Sequence, residues 1–458
     1  MKNLSYFLLL CLVLLVCACG DRKAYKPADR GSSTTEYPYE SSATDYREES
    51  SGELAEIAVV GYSEKSAKRK SSKITGDVSR SDESTMSAKM SVTKDVATSK
   101  PAKRTEPKHP KRRPESDPQP QSGLVTAGEW NDLNSWDFYQ KTLNKNEFAS
   151  FPEHWQMYTN HRIAVLVTAN GKPAVNVTVA LYRNNTLLWT AKTDNTGKAE
   201  LWVSAFQKEK ELNTEHLRLK VNDQWVSTEK AISENTLNRI ALKNEVKKVS
   251  NEVQIAFMVD ATGSMSDELE FLKMDLKNVI SKVEEGNKNL KISTATVFYR
   301  DEGDEYVVKH SDFTKDINKT IQFINSQKAD GGGDFPEAVH TALNQLNKLQ
   351  WDGEARTRIA FLVLDAPPHH EDKILKSVQA SVKTAAEKGI KLIPIVASGI
   401  DKPTEFLMRF MAIYTNGTYV FITDDSGIGN AHLEPSVGEY QVEKLSDLMI
   451  RLIKKYTE

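Results

Sequence analysis

Residues 253–267 read VQIAFMVDATGSMSD, an apolar run that ends in an acid followed by alternating hydroxyl residues. A continuous apolar run bounded by a glycine-containing loop is typical of a strand that is covered on both faces, as in parallel sheets. The loop after such a strand lies at the carboxyl edge of the sheet, where ligands bind in open α/β folds. Asp260, Thr262 and Ser264 alternate along this loop, so their oxygens can face one point. Carboxylate and hydroxyl oxygens suit a hard cation such as Mg²⁺.

The fold class follows from the pattern that continues to the end of the chain. From Val253 onward, apolar strand patterns alternate with amphipathic helix patterns, and no internal repeat is visible. This alternation predicts a doubly wound α/β domain: a mostly parallel sheet with helices on both faces. The segment EYVVKH at 305–310 is predicted to be an antiparallel edge strand.

Two later loops add candidate ligands at the same edge. ADGGGDFPEA at 329–338 precedes a helix pattern, and LVLDAPPHH at 362–370 ends a strand pattern. Together with DATGS, these motifs resemble the metal-ion-dependent adhesion site of a von Willebrand factor A domain, over residues 253–455. In that family an Asp-x-Ser/Thr-x-Ser run follows the first strand, a Thr lies in a glycine-rich loop, and an Asp closes the fourth strand.

The resemblance implies a ligand set for Mg²⁺, with Mn²⁺ or Ca²⁺ as alternatives. Asp260, Thr262 and Ser264 match the first group of family ligands, and Asp365 matches the last. Gly333 stands where many members have the ligand Thr. Asp334, its neighbour, is therefore predicted to supply that oxygen, directly or through water.

The polar residues around these motifs leave two questions open. His369 and His370 are interpreted as rim residues rather than zinc ligands, because two adjacent histidines rarely bind one ion together. The segment YRDEGDEYV, with Arg300, Asp301 and Asp304, is either a second acidic ring about the site or a turn with its own Arg–Asp pair.

The predicted function is binding. A Mg²⁺ ion held by hydroxyls and few carboxylates keeps an exchangeable water, which an acidic side chain of a protein or extracellular ligand can replace. A metal-dependent hydrolase is the alternative, but the chain lacks Gly-x-Ser-x-Gly, His-Glu-x-x-His and a P-loop lysine, so no enzyme is predicted. An envelope assembly or stress factor that uses the same site on an internal partner also stays open. The net charge of −2 predicts no nucleic-acid partner.

The first residues predict export. Lys2 precedes an apolar core that ends at Val16, which is the layout of a secretory signal peptide. The run Val16-Cys17-Ala18-Cys19 resembles a bacterial lipobox, which implies a signal peptide at 1–18 and a lipid on Cys19. The protein is then expected in the cell envelope, anchored to a bacterial membrane, with the outer membrane or cell surface favoured. A simple secretory peptide is the alternative. All three cysteines lie in this segment, so no disulfide is predicted for the folded part.

The middle of the chain is predicted to hold two further segments before the A domain at 248–458. Residues 19–123 are rich in Ser, Thr, Lys, Glu and Pro, which predicts a disordered, lipidated tether. Residues 124–247 begin with aromatic patterns that predict short helices. They continue with short strands joined by NGKP and DNTGK turns, which predict an antiparallel β-sandwich. This part loosely resembles the Ig-like or carboxypeptidase-regulatory-like sandwiches of bacterial envelope proteins.

Overall fold

The computed structural model describes the C-terminal three quarters of the chain. The described residues are 121–226, 232–234, 236–243, 249–286 and 289–458. The chain divides into two units, Met1–Glu106 and Pro107–Glu458, and every described residue belongs to the second. The predicted signal peptide, Cys19 and residues 19–120 of the predicted tether lie outside the described residues.

Strands and helices alternate irregularly through this unit. The strands are β1 (Thr126–Trp130), β2 (Arg162–Ala169), β3 (Lys172–Pro173), β4 (Thr178–Arg183), β5 (Thr186–Lys192), β6 (Lys198–Trp202), β7 (Leu217–Val221), β8 (Gln224–Trp225), β9 (Leu237–Leu242), β10 (Glu252–Asp260), β11 (Lys291–Tyr299), β12 (Val308–Thr314), β13 (Thr357–Leu364), β14 (Ile390–Val396), β15 (Tyr419–Ile422) and β16 (Val442–Lys444). The α-helices are α1 (Trp136–Leu143), α2 (Phe151–Trp155), α3 (Leu269–Gly286), α4 (Ile317–Ser326), α5 (Val339–Lys348), α6 (Asp372–Lys388), α7 (Lys402–Tyr414) and α8 (Leu445–Thr457). None of the helices within the described ranges combines the length and the apolar character that crossing a membrane needs.

A mixed sheet of eight strands, in the order β12-β11-β10-β13-β14-β15-β1-β16, is the centre of the C-terminal part. The five strands from β11 to β15 in this order run parallel, whereas β12, β1 and β16 pair antiparallel with their neighbours. The predicted α/β class is therefore confirmed for this domain. The antiparallel edge strand is also present, although it spans Val308–Thr314 rather than 305–310.

Helices cover both faces of this sheet. Along β10, Phe257 and Val259 pack with helices α3 and α8 on one face, while Ala256 and Met258 pack with helices α5, α6 and α7 on the other. Side chains alternate across a strand, so burial on both faces requires the continuous apolar run that the sequence shows.

The strand β1 lies between β15 and β16 in the large sheet, although its position in the sequence placed it in the segment before the A domain. The aromatic pattern from Trp130 onward predicted short helices, and these are present as α1 and α2. Residues 126–130 at its start instead complete the sheet of the C-terminal domain. The close packing of a side chain explains Gly128 in this strand, because a Cβ there would lie 2.5 Å from the ring of Phe421. Part of the segment predicted to precede the A domain thus belongs to its sheet.

A buried ion pair holds the segment after β1 against helix α7. Arg409 and Asp132 are both buried, and Nε and Nη2 of the arginine donate to the two carboxylate oxygens at 2.9 and 2.7 Å. Glu405, one turn earlier in α7, lies 3.5 Å from Nη1 of the same arginine. Two parallel hydrogen bonds between an arginine and a carboxylate satisfy both charged groups. The burial of the Arg409 charge is therefore stabilised mainly by Asp132.

The remaining strands form two four-stranded sheets, which precede β10 in the chain. One has the order β3-β2-β6 with β9 paired to β2, and the other has the order β5-β4-β7-β8. The β2–β9 pair is parallel, so the prediction of a wholly antiparallel arrangement is wrong there. Trp189 and Trp202 from these sheets pack on Tyr414 of α7, which joins them to the core of the large sheet. The likeness to Ig-like sandwiches stays a prediction.

Candidate metal centre

The strands β10 and β13 are adjacent and parallel, which fixes the position of the two predicted aspartates. Asp260 is the last residue of β10, and Asp365 directly follows β13. Both therefore lie at the carboxyl edge of the sheet. After Asp260 the chain makes a 3₁₀ turn at Gly263–Asp267 and enters α3, which keeps Thr262 and Ser264 beside the strand end.

The predicted oxygens form a hydrogen-bonded chain. Oδ1 of Asp260 accepts from the backbone N–H of Thr262 at 2.9 Å and from its Oγ1 at 2.7 Å. Oγ1 of Thr262 lies 3.1 Å from Oγ of Ser264. Ser264 and Asp365 line the same cavity, so the serine lies near both acids. The structure thus brings four of the five predicted metal ligands together.

Three buried carboxylate oxygens at this edge have no hydrogen-bond partner among the described residues. They are Oδ2 of Asp260, Oδ1 of Asp365 and Oε2 of Glu337. Burial raises the pKa of Asp260 to about 6. Burial and the charge of Asp260 raise the pKa of Asp365 to about 7. For Glu337, burial and the neighbouring acids, with Asp260 foremost, raise the pKa to about 9. Such a cluster is stable only when protons or a cation neutralise it.

Glu337 is the residue that sequence reasoning missed. Gly331 and Gly332 both have positive φ, 78° and 73°, which turns the loop back toward β10. A Cβ on Gly332 would lie 2.9 Å from Oε1 of Glu337 and 3.3 Å from Cβ of Thr262, so the glycine separates these two side chains. The backbone N–H of Glu337 donates to the carbonyl of Pro367 at 2.8 Å, which fixes the loop beside the end of β13.

Asp334 lies in a different environment from the other predicted ligands. It lines a cavity of about 370 Å³ together with Ser264, Asp365 and Glu337. Its side chain is exposed, whereas the Glu337 side chain is buried. Glu337 is thus better placed than Asp334 to supply the oxygen for which Asp334 was predicted. The signal in the sequence that pointed to Glu337 was its position at the end of the same glycine-rich loop.

The acids of the YRDEGDEYV segment support this loop. Oδ2 of Asp304 accepts from the backbone N–H groups of Gly332 at 2.8 Å and of Asp301 at 3.1 Å. Oδ1 of Asp301 lies 2.8 Å from Nε2 of His369. Arg300 pairs with neither of these aspartates but lies 3.9 Å from Asp330. The segment is therefore a turn in which Asp304 holds the glycine-rich loop in place, and the charges of Asp301 and Asp304 also contribute to the raised pKa of Glu337.

The donor set determines which ions fit. Within the part of the chain that the structure describes, no three His, Cys, Asp or Glu side chains are grouped as a metal cluster. Ligation here would have to include the hydroxyls of Thr262 and Ser264, and water. Oxygen donors of this mixed kind fit Mg²⁺, Mn²⁺ or Ca²⁺ and do not fit a soft thiolate-seeking metal.

Comparison with known proteins identifies the class of this domain. Residues 254–424 match the family model described as von Willebrand factor A domain. The chain therefore contains a von Willebrand factor A domain, a module associated in general with protein interaction or metal-dependent binding.

Two curated relatives share part of this sequence. An ariadne-like RING finger protein of Acanthamoeba polyphaga mimivirus is 34% identical over 134 residues, which cover 29% of this chain and 13% of that protein. The alpha-protein kinase vwkA of Dictyostelium discoideum is 22% identical over 214 residues, which cover 46% of this chain and 34% of that protein. The matched region thus spans about a third or less of each relative. A solved structure of the conserved hypothetical protein BatB from Bacteroides thetaiotaomicron matches 44% of this chain and 98% of its own, at 14% identity and a TM-score of 0.31.

Proposed function

We propose that this protein captures a protein or extracellular ligand through a divalent cation at the carboxyl edge of the large sheet. Mg²⁺ is the favoured ion, and Mn²⁺ and Ca²⁺ are the alternatives. The observation that carries this proposal is the set of buried, unpartnered acid oxygens of Asp260, Asp365 and Glu337 beside two hydroxyl side chains. A cation would neutralise the acids and accept the hydroxyls as ligands.

The surroundings of the site favour a macromolecular ligand. The cavity opens beside Phe335, whose side chain is 43% exposed, and beside the exposed Asp334. An ion that binds at the base of an open cavity can take a carboxylate from a partner, and an exposed aromatic ring next to it adds apolar contact. The proposed role is therefore binding rather than catalysis.

The proposed location is the envelope of a bacterium, with a lipid on Cys19 as the anchor. Support for this part comes from the lipobox-like run at residues 16–19. A lipid on the N-terminal side and a binding site in the C-terminal domain would present the site to ligands at the membrane surface.

Metal titration by isothermal calorimetry tests the proposal directly. Wild-type protein is expected to bind Mg²⁺, and Glu337→Gln is expected to lose at least tenfold in affinity. Asp312→Asn is the control, because it removes one negative charge at a position on β12 that is 73% exposed and does not line this cavity. If wild-type protein binds none of Mg²⁺, Mn²⁺ and Ca²⁺, the proposal is wrong.

Partner capture is then measured with the same variants. Wild-type protein is expected to retain a ligand from envelope extract in Mg²⁺ and to release it in EDTA. Glu337→Gln should retain nothing under either condition. Retention that is equal in Mg²⁺ and EDTA would show that the cavity is not the binding site.

A further inference from the structure

A second cavity lies at the other end of β13, where the large sheet meets strands β4 and β5. Its volume is about 410 Å³, and Arg358, Lys192 and Lys388 contribute three cationic side chains to its lining. Arg358 is the second residue of β13, and Asp365 follows the last. At about 3.3 Å per residue, the two cavities are separated by about 20 Å along this strand.

Arg358 is buried with neutral partners only. The residue is only 2% exposed. Its Nη2 donates to Oδ1 of Asn176 at 2.7 Å and to the carbonyl of Gly353 at 2.9 Å. Nε of Arg358 is buried and has no hydrogen-bond partner in the described ranges. A buried guanidinium normally pairs with a carboxylate or a phosphate, since neutral acceptors offset only part of its lost hydration.

The two lysines of this cavity are also bound to carbonyl oxygens. Nζ of Lys192 donates to the carbonyl of Gly353 at 3.1 Å, and Nζ of Lys388 donates to that of Asn347 at 2.6 Å. In the described structure, the hydrogen bonds of Arg358 and of both lysines go to neutral acceptors. Burial lowers the pKa of Arg358 to about 10, and the charges of Asp352 and Glu354 offset part of this lowering. Burial and the charge of Arg358 lower the pKa of Lys192, while the charges of Glu354 and Asp352 act in the opposite direction.

Hydroxyl groups and one aromatic ring complete the wall. Thr178 and Thr190 lie on the face of β4 and β5 that carries Lys192, because Thr178 is paired with Lys192 and Thr190 is two residues before it. Trp351 adds a partly buried indole ring. Glu387 is the acid of this lining, and its side chain is exposed. Cations with hydroxyl donors on several sides suit a tetrahedral oxyanion, and the ring suits an apolar moiety attached to it.

We infer that this cavity binds a small phosphate-bearing molecule, held by Arg358 and Lys192 with hydroxyls of the neighbouring strands. Such a ligand would contact β4 and β5 on one side and β13 on the other. It would also supply the negative charge that the described partners of these cations lack. This inference goes beyond the proposed metal site, which lies at the opposite edge of the sheet and uses none of these residues.

Calorimetric titration of the full chain with inorganic phosphate and with glycerol 3-phosphate, at low ionic strength, tests the inference. Both are expected to bind with millimolar or tighter affinity. Lys192→Gln should weaken the binding of each ligand at least tenfold, because it removes a cation from the cavity. Glutamine keeps most of the side-chain packing, so the fold should be preserved. Lys373→Gln is the control, since Lys373 lies on the adjoining helix α6 with a side chain that is 79% exposed.

The outcomes separate this site from the proposed metal centre. Asp260→Asn should bind phosphate as wild-type protein does, even if it no longer binds Mg²⁺. Vesicles of phosphatidylglycerol, compared with vesicles of phosphatidylcholine, distinguish a lipid headgroup from a free phosphoester as the source of the anion. If wild-type protein binds neither phosphate nor glycerol 3-phosphate, or if Lys192→Gln binds both as tightly as Lys373→Gln, the inference is wrong.

Discussion

Replacing Asp260 with asparagine changes the charge of the candidate metal centre while keeping its shape. Asp260 is fully buried; its Oδ1 accepts two hydrogen bonds from Thr262, and its Oδ2 has no partner in the described structure. The Oδ1 of an asparagine can accept the same two bonds. The substitution therefore removes a negative charge and leaves the packing in place.

The size of the effect follows from the pKa of Asp260. Burial raises this pKa from 3.8 to about 6, so the folded protein binds the proton more tightly than the unfolded chain does. The protonated Asp260 therefore stabilises the folded protein below about pH 4, and this stabilisation is lost as the pH rises through about 6. One pKa unit corresponds to about 1.4 kcal/mol, so a difference of roughly two units contributes about 3 kcal/mol to the free energy of unfolding. Without metal, the stability of Asp260→Asn relative to wild type should therefore increase by about 2–3 kcal/mol between pH 4 and pH 8.

Urea unfolding of the full chain in EDTA, followed by tryptophan fluorescence at both pH values, measures this change. Asp223→Asn, in the exposed turn between β7 and β8, is the control and should show no such pH dependence. At pH 8, Mg²⁺ at a hundredfold excess over its dissociation constant should stabilise wild type by about 2.7 kcal/mol and leave Asp260→Asn unchanged. A relative stability that stays constant between pH 4 and pH 8, or an equal Mg²⁺ response in both proteins, would refute this reasoning.

Four further predictions concern other parts of the chain. Cys19→Ser should not incorporate a palmitate analogue in metabolic labelling, and equal labelling of the wild type and the variant would refute the lipid anchor. Limited proteolysis should leave a stable fragment that begins near residues 124–130. A fragment of residues 249–458 should give no cooperative thermal melt, because it lacks β1, and a cooperative melt would contradict this. Asp132→Ala should destabilise the protein by about 3 kcal/mol in urea unfolding, because it removes the two-pronged partner of the buried Arg409 and leaves only Glu405, 3.5 Å away, as a carboxylate. A loss below about 1 kcal/mol would contradict the importance of the Asp132 pair.

The α/β domain was predictable because its signal is local. The buried run of β10 and the alternation of strand and helix patterns after it each lie within short windows of sequence. The same logic placed Asp260 and Asp365, since residues that end adjacent parallel strands must lie at one edge. Their roles as metal ligands stay predictions.

The path of the glycine-rich loop was not predictable from spacing. The sequence placed Asp334 in the site because it directly follows the three glycines. The positive φ values of Gly331 and Gly332 instead return the chain so that Gly332 lies between the side chains of Glu337 and Thr262. Residue order along a loop does not specify such a turn, because glycine permits several backbone conformations.

The strand β1 was missed for a different reason. It has five residues, which is too short for a periodic pattern to indicate a strand. Its partners are Tyr419–Ile422 and Val442–Lys444, near the other end of the chain. Pairing over such a sequence separation depends on the whole fold, so a local pattern cannot reveal it.

The position of β1 also determines how the domain would carry mechanical load. Oγ of Ser122 and the backbone N–H of Gly123 donate to Asp275 of helix α3, and the chain then continues directly into β1. This strand is hydrogen-bonded to β15 on one side and to β16 on the other, both antiparallel. Force applied along β1 from its N-terminal end would shear two ladders at once, rather than opening one bond after another. An N-terminal attachment would thus pull on the interior of the sheet, and the strand would act as a clamp that yields only when both ladders break together.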